Sequence, residues 1–85
     1  MYDQAFEVVS LERTDAGLWS VGGRAYVDIT VGDILETAGT GGSKVKVVRI
    51  VTYGRTTDLL SKMMTGTLIV EGEIQEPLTA LYVPQ

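Results

Sequence analysis

The amino-acid sequence predicts an all-β fold, a small closed or partly open antiparallel β-barrel of about six to seven strands. The run Ile29-Thr30-Val31-Gly32-Asp33-Ile34-Leu35 supports this prediction, because it places a Val-Gly-Asp turn between two short apolar segments. The segment from Lys44 to Tyr53 supports it too, since its β-branched residues are too dense for a solvated helix and are typical of a central strand. The chain has 85 residues, so residues 1–85 are expected to form a single β-barrel domain.

The first part of the chain is predicted to form two long strands. Residues Ala5 to Arg13 read as the first strand, because both of its faces carry apolar residues, as the strands of a barrel do. A turn follows in which Asp15 can hydrogen-bond to nearby backbone and Gly17 can adopt a positive φ. The second strand is predicted over Leu18 to Val27, and the pair Gly22-Gly23 indicates a bulge or a sharp bend within it.

The remainder of the chain alternates between short strands and turns. The loop from Ala38 to Ser43 is almost pure glycine, serine and threonine, and we expect it to be mobile. Residues 54–58 break the strand pattern, and Leu59 to Met64 fits either one helical turn or a short irregular strand. Further strands are predicted over Ile34 to Thr37, Lys44 to Tyr53, Thr67 to Val70 and Leu78 to Val83.

Composition limits the classes of function. The chain contains no cysteine and no histidine, which removes disulfides, thiolate and imidazole metal ligands, and the Ser-His and Cys-His nucleophile pairs. An enzyme is therefore the less favoured class, and we expect no catalytic residue, no metal and no cofactor. A net charge of −4 disfavours non-specific binding to nucleic acid. The first residues resemble neither a signal peptide nor a spanning helix, which predicts a cytoplasmic location without a membrane partner.

Several short motifs follow one another in a fixed order along the chain. A turn glycine, a strand that ends in Gly-Arg and an Ile-x-Val-Gly-Asp turn come first, at Gly17, Gly23-Arg24 and Ile29-Thr30-Val31-Gly32-Asp33. Later strands and a turn follow at Val45 to Ile50, Thr65-Gly66-Thr67-Leu68 and Ile69-Val70-Glu71-Gly72. From Phe6 to Val83, this order resembles the second domain of translational GTPases, the β-barrel of the elongation-factor-Tu domain 2 type.

The resemblance carries expectations about fold and partner. In such a barrel Val31 and Ile34 point inward, while Asp33 ties the turn to backbone donors. No P-loop occurs anywhere in the chain, so the resemblance implies a stand-alone barrel without nucleotide hydrolysis. In the family, the barrel packs against a GTPase domain and helps to contact transfer RNA or the ribosome. The resemblance therefore implies a protein or ribonucleoprotein partner.

A basic cluster supplies the candidate binding residues. Lys44, Lys46 and Arg49, with Arg55 nearby in the sequence, form the basic cluster of this acidic chain, and a small basic strip of this kind can face an acidic protein or RNA phosphates. We take Lys46, Arg49, Tyr53 and Arg55 as the candidate contact residues. The alternative is that the lysines only keep a sheet edge from aggregating, and the sequence favours that alternative because aromatic residues are not interleaved with the cations.

Other features have ordinary structural explanations. The loop Gly39 to Ser43 looks like a phosphate cradle, but it leads into a strand and not a helix, so a hairpin loop is favoured. Trp19 and Tyr26 are expected to pack in the core and at its rim, not to stack on bases. The carboxylates Glu71, Glu73 and Glu76 are expected on a solvated face. Met63-Met64 either forms an apolar patch for a partner or closes one end of the barrel.

These observations favour a non-enzymatic binding module that engages a protein or ribonucleoprotein partner. A second hypothesis is a structural or assembly protein that forms homo-oligomers through exposed strand edges.

Overall fold

Six strands close into a ring in the computed structural model, which describes residues 4–14, 17–38 and 42–84. The strands of the described part are β1 Gln4–Arg13, β2 Leu18–Ala25, β3 Ile29–Thr30, β4 Ile34–Glu36, β5 Lys44–Thr52, β6 Arg55–Thr57, β7 Leu59–Leu60, β8 Thr65–Gly72 and β9 Ala80–Tyr82. The ring order is β4-β9-β1-β2-β8-β5, and β5 pairs back onto β4, with antiparallel pairing throughout. The predicted all-β antiparallel fold of the small-barrel type is thereby confirmed.

The predicted break in the strand pattern over residues 54–58 is present at Gly54 and Asp58, but residues 55–57 form a strand. Tyr53 and Gly54 have φ angles of 51° and 72°, and two consecutive positive φ values make the tight turn that joins antiparallel strands. Residues 55–57 therefore return along β5 as β6, with Arg55 opposite Thr52. Of the two possibilities for residues 59–64, the short strand is the one observed, since Leu59–Leu60 pairs with β3.

Two of the long strands contain a β-bulge. In β1 the register with β2 shifts between Val8 and Ser10, so Val9 is the extra residue and lies opposite the glycine pair of β2. The predicted irregularity at Gly22-Gly23 is present, but the inserted residue belongs to the neighbouring strand. In β5 the register with β8 shifts between Val47 and Arg49, which makes Val48 the extra residue.

The Val-Gly-Asp turn joins the small β3–β7 sheet to the ring. Gly32 has a φ of 100°, and the Asp33 carboxylate accepts a hydrogen bond of 2.9 Å from the Thr30 amide, as the sequence predicted. The Gly32 amide donates to the Val47 carbonyl at 2.7 Å, and the Val47 amide donates to the Asp33 carbonyl at 2.9 Å. These bonds hold the turn against the middle of β5.

Val31 and Ile34 do not point into the barrel, contrary to prediction. Each is 41% exposed, because Val31 lies in the turn and Ile34 is paired with the outward-facing Lys46. The neighbouring residues Ile29 and Leu35 are buried in their place.

One cluster of apolar side chains fills the ring. Trp19 and Met64 are half-buried and pack against this cluster, and the Arg13 guanidinium lies 5.9 Å from the centre of the Trp19 ring. The fully buried large side chains are Phe6, Val21, Ile29, Val45, Val47, Ile50, Leu60, Leu68, Val70 and Leu81.

Candidate protein-interaction surface

The outer face of β5 carries two of the four candidate contact residues. Val45 and Val47 are buried, so the alternation of side chains along a strand directs Lys46 to the outside of the ring. Arg49 is also exposed, because it precedes the buried Ile50.

The bulge at Val48 is the reason that Arg49 faces outward. Without the extra residue, strict alternation from the buried Val47 would turn residue 49 inward and residue 50 outward. The inserted Val48 shifts the remainder of β5 by one position, so Val48 and Arg49 both lie on the outer face. An aliphatic side chain and a guanidinium thereby stand side by side.

Tyr53 and Arg55 occupy the β5–β6 turn and its return strand. Tyr53 is 84% exposed at the tip of the hairpin. Arg55 is paired with Thr52, and directly paired residues share one face of a sheet. Ile50 follows Arg49 directly and so lies on the opposite face, and Thr52 shares the face of Ile50 because it lies two positions further along the strand. The structure therefore brings Lys46 and Arg49 together on one face and places Arg55 on the other.

Acidic side chains balance part of the positive charge on β5. Glu71 of β8 stands directly opposite Lys46, and Glu36 of β4 stands opposite Lys44. The cross-strand partner of Arg49 is Ile69, which is uncharged. Arg49 is thus the cation of this face whose paired residue brings no compensating charge.

A cleft lies beside Arg49 on the outer face of β5. It has a volume of about 340 Å³ and is lined by Thr14, Leu18, Val48, Arg49 and Ile69. Two wider grooves lie on either side of the exposed Val9: one of about 400 Å³ over Gly22, Gly23 and Gly66, and one of about 500 Å³ beside Pro77 and Leu78. The first of these contains Glu7 and Arg24, which are paired across the strands.

The Tyr26 hydroxyl donates a hydrogen bond of 3.1 Å to the Glu7 carboxylate. That hydrogen bond, with smaller effects of desolvation and of the Glu7 charge, raises the pKa of the Tyr26 phenol, while the charge of Arg24 acts in the opposite direction. The contact places Tyr26 at the rim of the sheet.

Every buried side-chain nitrogen or oxygen atom of the described residues has a hydrogen-bond partner. Within the same ranges, no group of three or more acidic residues is arranged to hold a metal ion, and no helix is long and apolar enough to cross a membrane.

Met63 is 53% exposed, whereas Met64 contacts the core. Residues 39–41 of the loop predicted as mobile and as a possible phosphate cradle lie outside the described residues, as does Asp15.

Sequence reasoning missed the cleft at Val48. The signal that could have revealed it is the spacing of the apolar residues in β5, where Val45 and Val47 are followed by Ile50 and not by residue 49. That one-residue slip in the period of two is the sequence signature of a bulge.

Comparison of the chain with protein-family models, with curated proteins and with solved structures gave no match.

Proposed function

We propose that this protein is a non-catalytic binding module that engages a protein or ribonucleoprotein partner through the outer face of β5 and the β5–β6 turn. The observation that carries the proposal is the exposure of Lys46 and Arg49 on one strand of a closed ring and of Tyr53 in the turn that follows this strand. These side chains are not needed to fill the core, so they are free to contact another molecule.

Tyr53 illustrates the argument. Its φ of 51° lies in a region that costs a non-glycine residue about 1 kcal/mol, and asparagine meets the same requirement with less strain. A tyrosine that is 84% exposed regains almost nothing through packing. An aromatic ring at this position is better explained by contact with a partner, because tyrosine is among the residues that contribute most at interfaces.

The resemblance to the translation-factor barrel supports the class of partner. The order of turn glycine, Gly-Arg and Val-Gly-Asp turn resembles that of a barrel which contacts proteins and RNA, and the absence of a P-loop favours binding without hydrolysis. The cytoplasm is the compartment that we propose for this role.

Homo-oligomerisation through strand edges is the alternative function, and closure of the ring makes it the less favoured one. Closure gives each of the six ring strands a neighbour on both sides. In the part of the chain that the structure describes, a second copy would have to use β6, a three-residue strand paired only with β5, or the two-residue strands β3 and β7.

The experiment is a pull-down of the tagged protein from cell lysate, with and without ribonuclease, followed by mass spectrometry and RNA sequencing. A variant with Lys46→Ser and Arg49→Ser is compared with a control that carries Arg24→Ser and Lys62→Ser, which removes the same charge from exposed positions elsewhere. We expect the first variant to lose the partner and the control to keep it. Equal recovery with both variants would refute the assignment, and recovery of the bait alone would favour self-assembly.

The same assay separates the two faces of the hairpin. Arg49→Ala and Arg55→Ala together are expected to weaken partner binding while leaving the unfolding transition unchanged, since both residues are exposed. The single variants then show whether one face or both contact the partner. Unchanged binding by the double variant would exclude both arginines as contact residues.

A further inference from the structure

The cleft beside Arg49 combines an apolar lining with one cation. Val48 is 36% exposed, and Leu18 and Ile69 are half-buried beside it. Small-molecule pockets occupy roughly 300–1,000 Å³. A cleft of about 340 Å³ is at the lower end of this range, so it suits one or two inserted side chains better than a whole cofactor.

The charge of the cleft indicates the chemistry next to the inserted side chain. Arg49 is the one ionisable residue among the lining residues, and its cross-strand partner is Ile69. A carboxylate that approaches Arg49 beside an apolar surface gains a charge-assisted hydrogen bond, and guanidinium groups bind carboxylates in a bidentate geometry.

RNA is a poorer fit to this cleft. Single-stranded nucleic acid is bound by a basic groove with aromatic rings on which the bases stack. The lining residues of this cleft include no aromatic side chain, so a base would have no ring on which to stack.

We infer that the partner contributes an acidic segment of protein chain, which inserts a leucine-like or phenylalanine-like side chain between Val48, Leu18 and Ile69 and places an adjacent carboxylate against Arg49. This inference rests on the proposed function and specifies the partner chemistry at the same surface. The β5 bulge is the device that creates the site, because it sets an aliphatic residue and an arginine side by side on the outside of the ring.

The test is selection of peptides from a random display library on the immobilised protein, followed by fluorescence anisotropy with the selected peptides. We expect enriched sequences that place Asp or Glu beside Leu, Ile or Phe. Arg49→Gln is expected to weaken their binding about fivefold, and Val48→Asn about tenfold. The fold itself provides matched controls. Val9 is also the extra residue of a bulge and is 78% exposed, so Val9→Asn is the control for Val48→Asn outside the cleft. Arg24→Gln is the corresponding control for Arg49→Gln.

Three results would overturn the inference. One is that no peptide is enriched, the second is that enriched peptides lack the acidic and apolar pair, and the third is that their affinity is the same for the Val48 variant as for its Val9 control. Oligouridylate serves as the nucleic acid probe, and binding that weakens with Arg49→Gln would assign the surface to RNA. If the peptide test fails while the Lys46 and Arg49 variant still loses the cellular partner, the proposed function stands and only the segment chemistry is wrong. If both fail, both proposals are wrong.

Discussion

Gly23→Ala is expected to destabilise the protein far more than the addition of one methyl group suggests. A Cβ at Gly23 would overlap the Glu7 carbonyl oxygen, lie 2.9 Å from the carbonyl carbon and lie 3.0 Å from Cε2 of Phe6. The principal obstacle is backbone, which cannot rotate away as the end of a side chain can. The β1 strand would have to move, although Phe6 is fully buried and pairs on its other side with Leu81 of β9.

The size of the effect follows from two contributions. Overpacking of a close-packed interior costs about 1–3 kcal/mol. Displacing β1 from β2 also weakens one or two ladder hydrogen bonds, each worth about 1 kcal/mol. We therefore expect the free energy of unfolding to fall by about 2–5 kcal/mol, against a total of about 5–15 kcal/mol for a domain. In a domain of this size, that loss corresponds to a decrease in Tm of at least about 8 °C.

Urea unfolding monitored by Trp19 fluorescence measures this loss, because Trp19 is the one tryptophan of the chain and packs against the core. Gly54→Ala is the control. Gly54 has a φ of 72° and no atom within 4 Å of the added methyl group, so its substitution isolates the cost of a positive φ, about 1 kcal/mol. If Gly23→Ala unfolds within about 0.5 kcal/mol of the parent protein, or no earlier than Gly54→Ala, the steric argument is wrong.

Three further predictions concern the turn, the core and the sheet rim. Asp33→Ala removes the acceptor for the Thr30 amide and is expected to lower the free energy of unfolding by about 1 kcal/mol in urea, while Asp33→Asn loses less because an amide oxygen still accepts. Leu68→Ala empties part of a fully buried site and should cost about 2–5 kcal/mol by the same assay; a smaller loss would contradict the packing described for the ring. Because the pKa of the Tyr26 phenol is raised, the folded state holds this proton more tightly than the unfolded state does. The resulting contribution to the free energy of unfolding is complete below the unfolded pKa of about 10 and is lost as pH rises through the folded pKa. Stability profiles of the parent protein and Tyr26→Phe should therefore converge at alkaline pH, and a constant difference between them would exclude the linkage.

The strand content and the Val-Gly-Asp turn could be predicted from the sequence because both depend on local residue preferences. Dense β-branched residues from 44 to 52 determine β5 wherever the neighbouring strands lie. The hydrogen bond of Asp33 is likewise made within its own turn.

The features that were missed depend on pairing between distant parts of the chain. Val31 and Ile34 lie on the outside because the turn bonds to β5, which comes later in the sequence. The strand at residues 55–57 was not predicted, because Tyr53-Gly54 is a weaker sequence signal for the β5–β6 turn than Asn-Gly or Asp-Gly would be.

The candidate site was predicted only in part, for a related reason. Exposure of Lys46 and Arg49 was expected from their charge, but the face of Arg55 depends on the hairpin that residues 53–54 create. The cleft depends on a bulge that brings Val48 next to side chains of β2 and β8. The exposure of a charged residue can thus be predicted from its chemistry before its neighbours are known, whereas the concavity beside it cannot.

Closure of the ring has a consequence for the order in which the protein folds. Tyr82 of β9 pairs with Gln4 of β1 and with Glu36 of β4, so β9 joins segments far apart in the sequence, and we expect it to dock late. Bringing such segments together requires loop-closure entropy to be lost before the new contacts form, which slows folding to the millisecond-to-second range typical of domains rich in non-local pairing. Until β9 docks, β1 and β4 each present an unpaired edge. The step that removes these edges is therefore the one that protects the folding chain from aggregation.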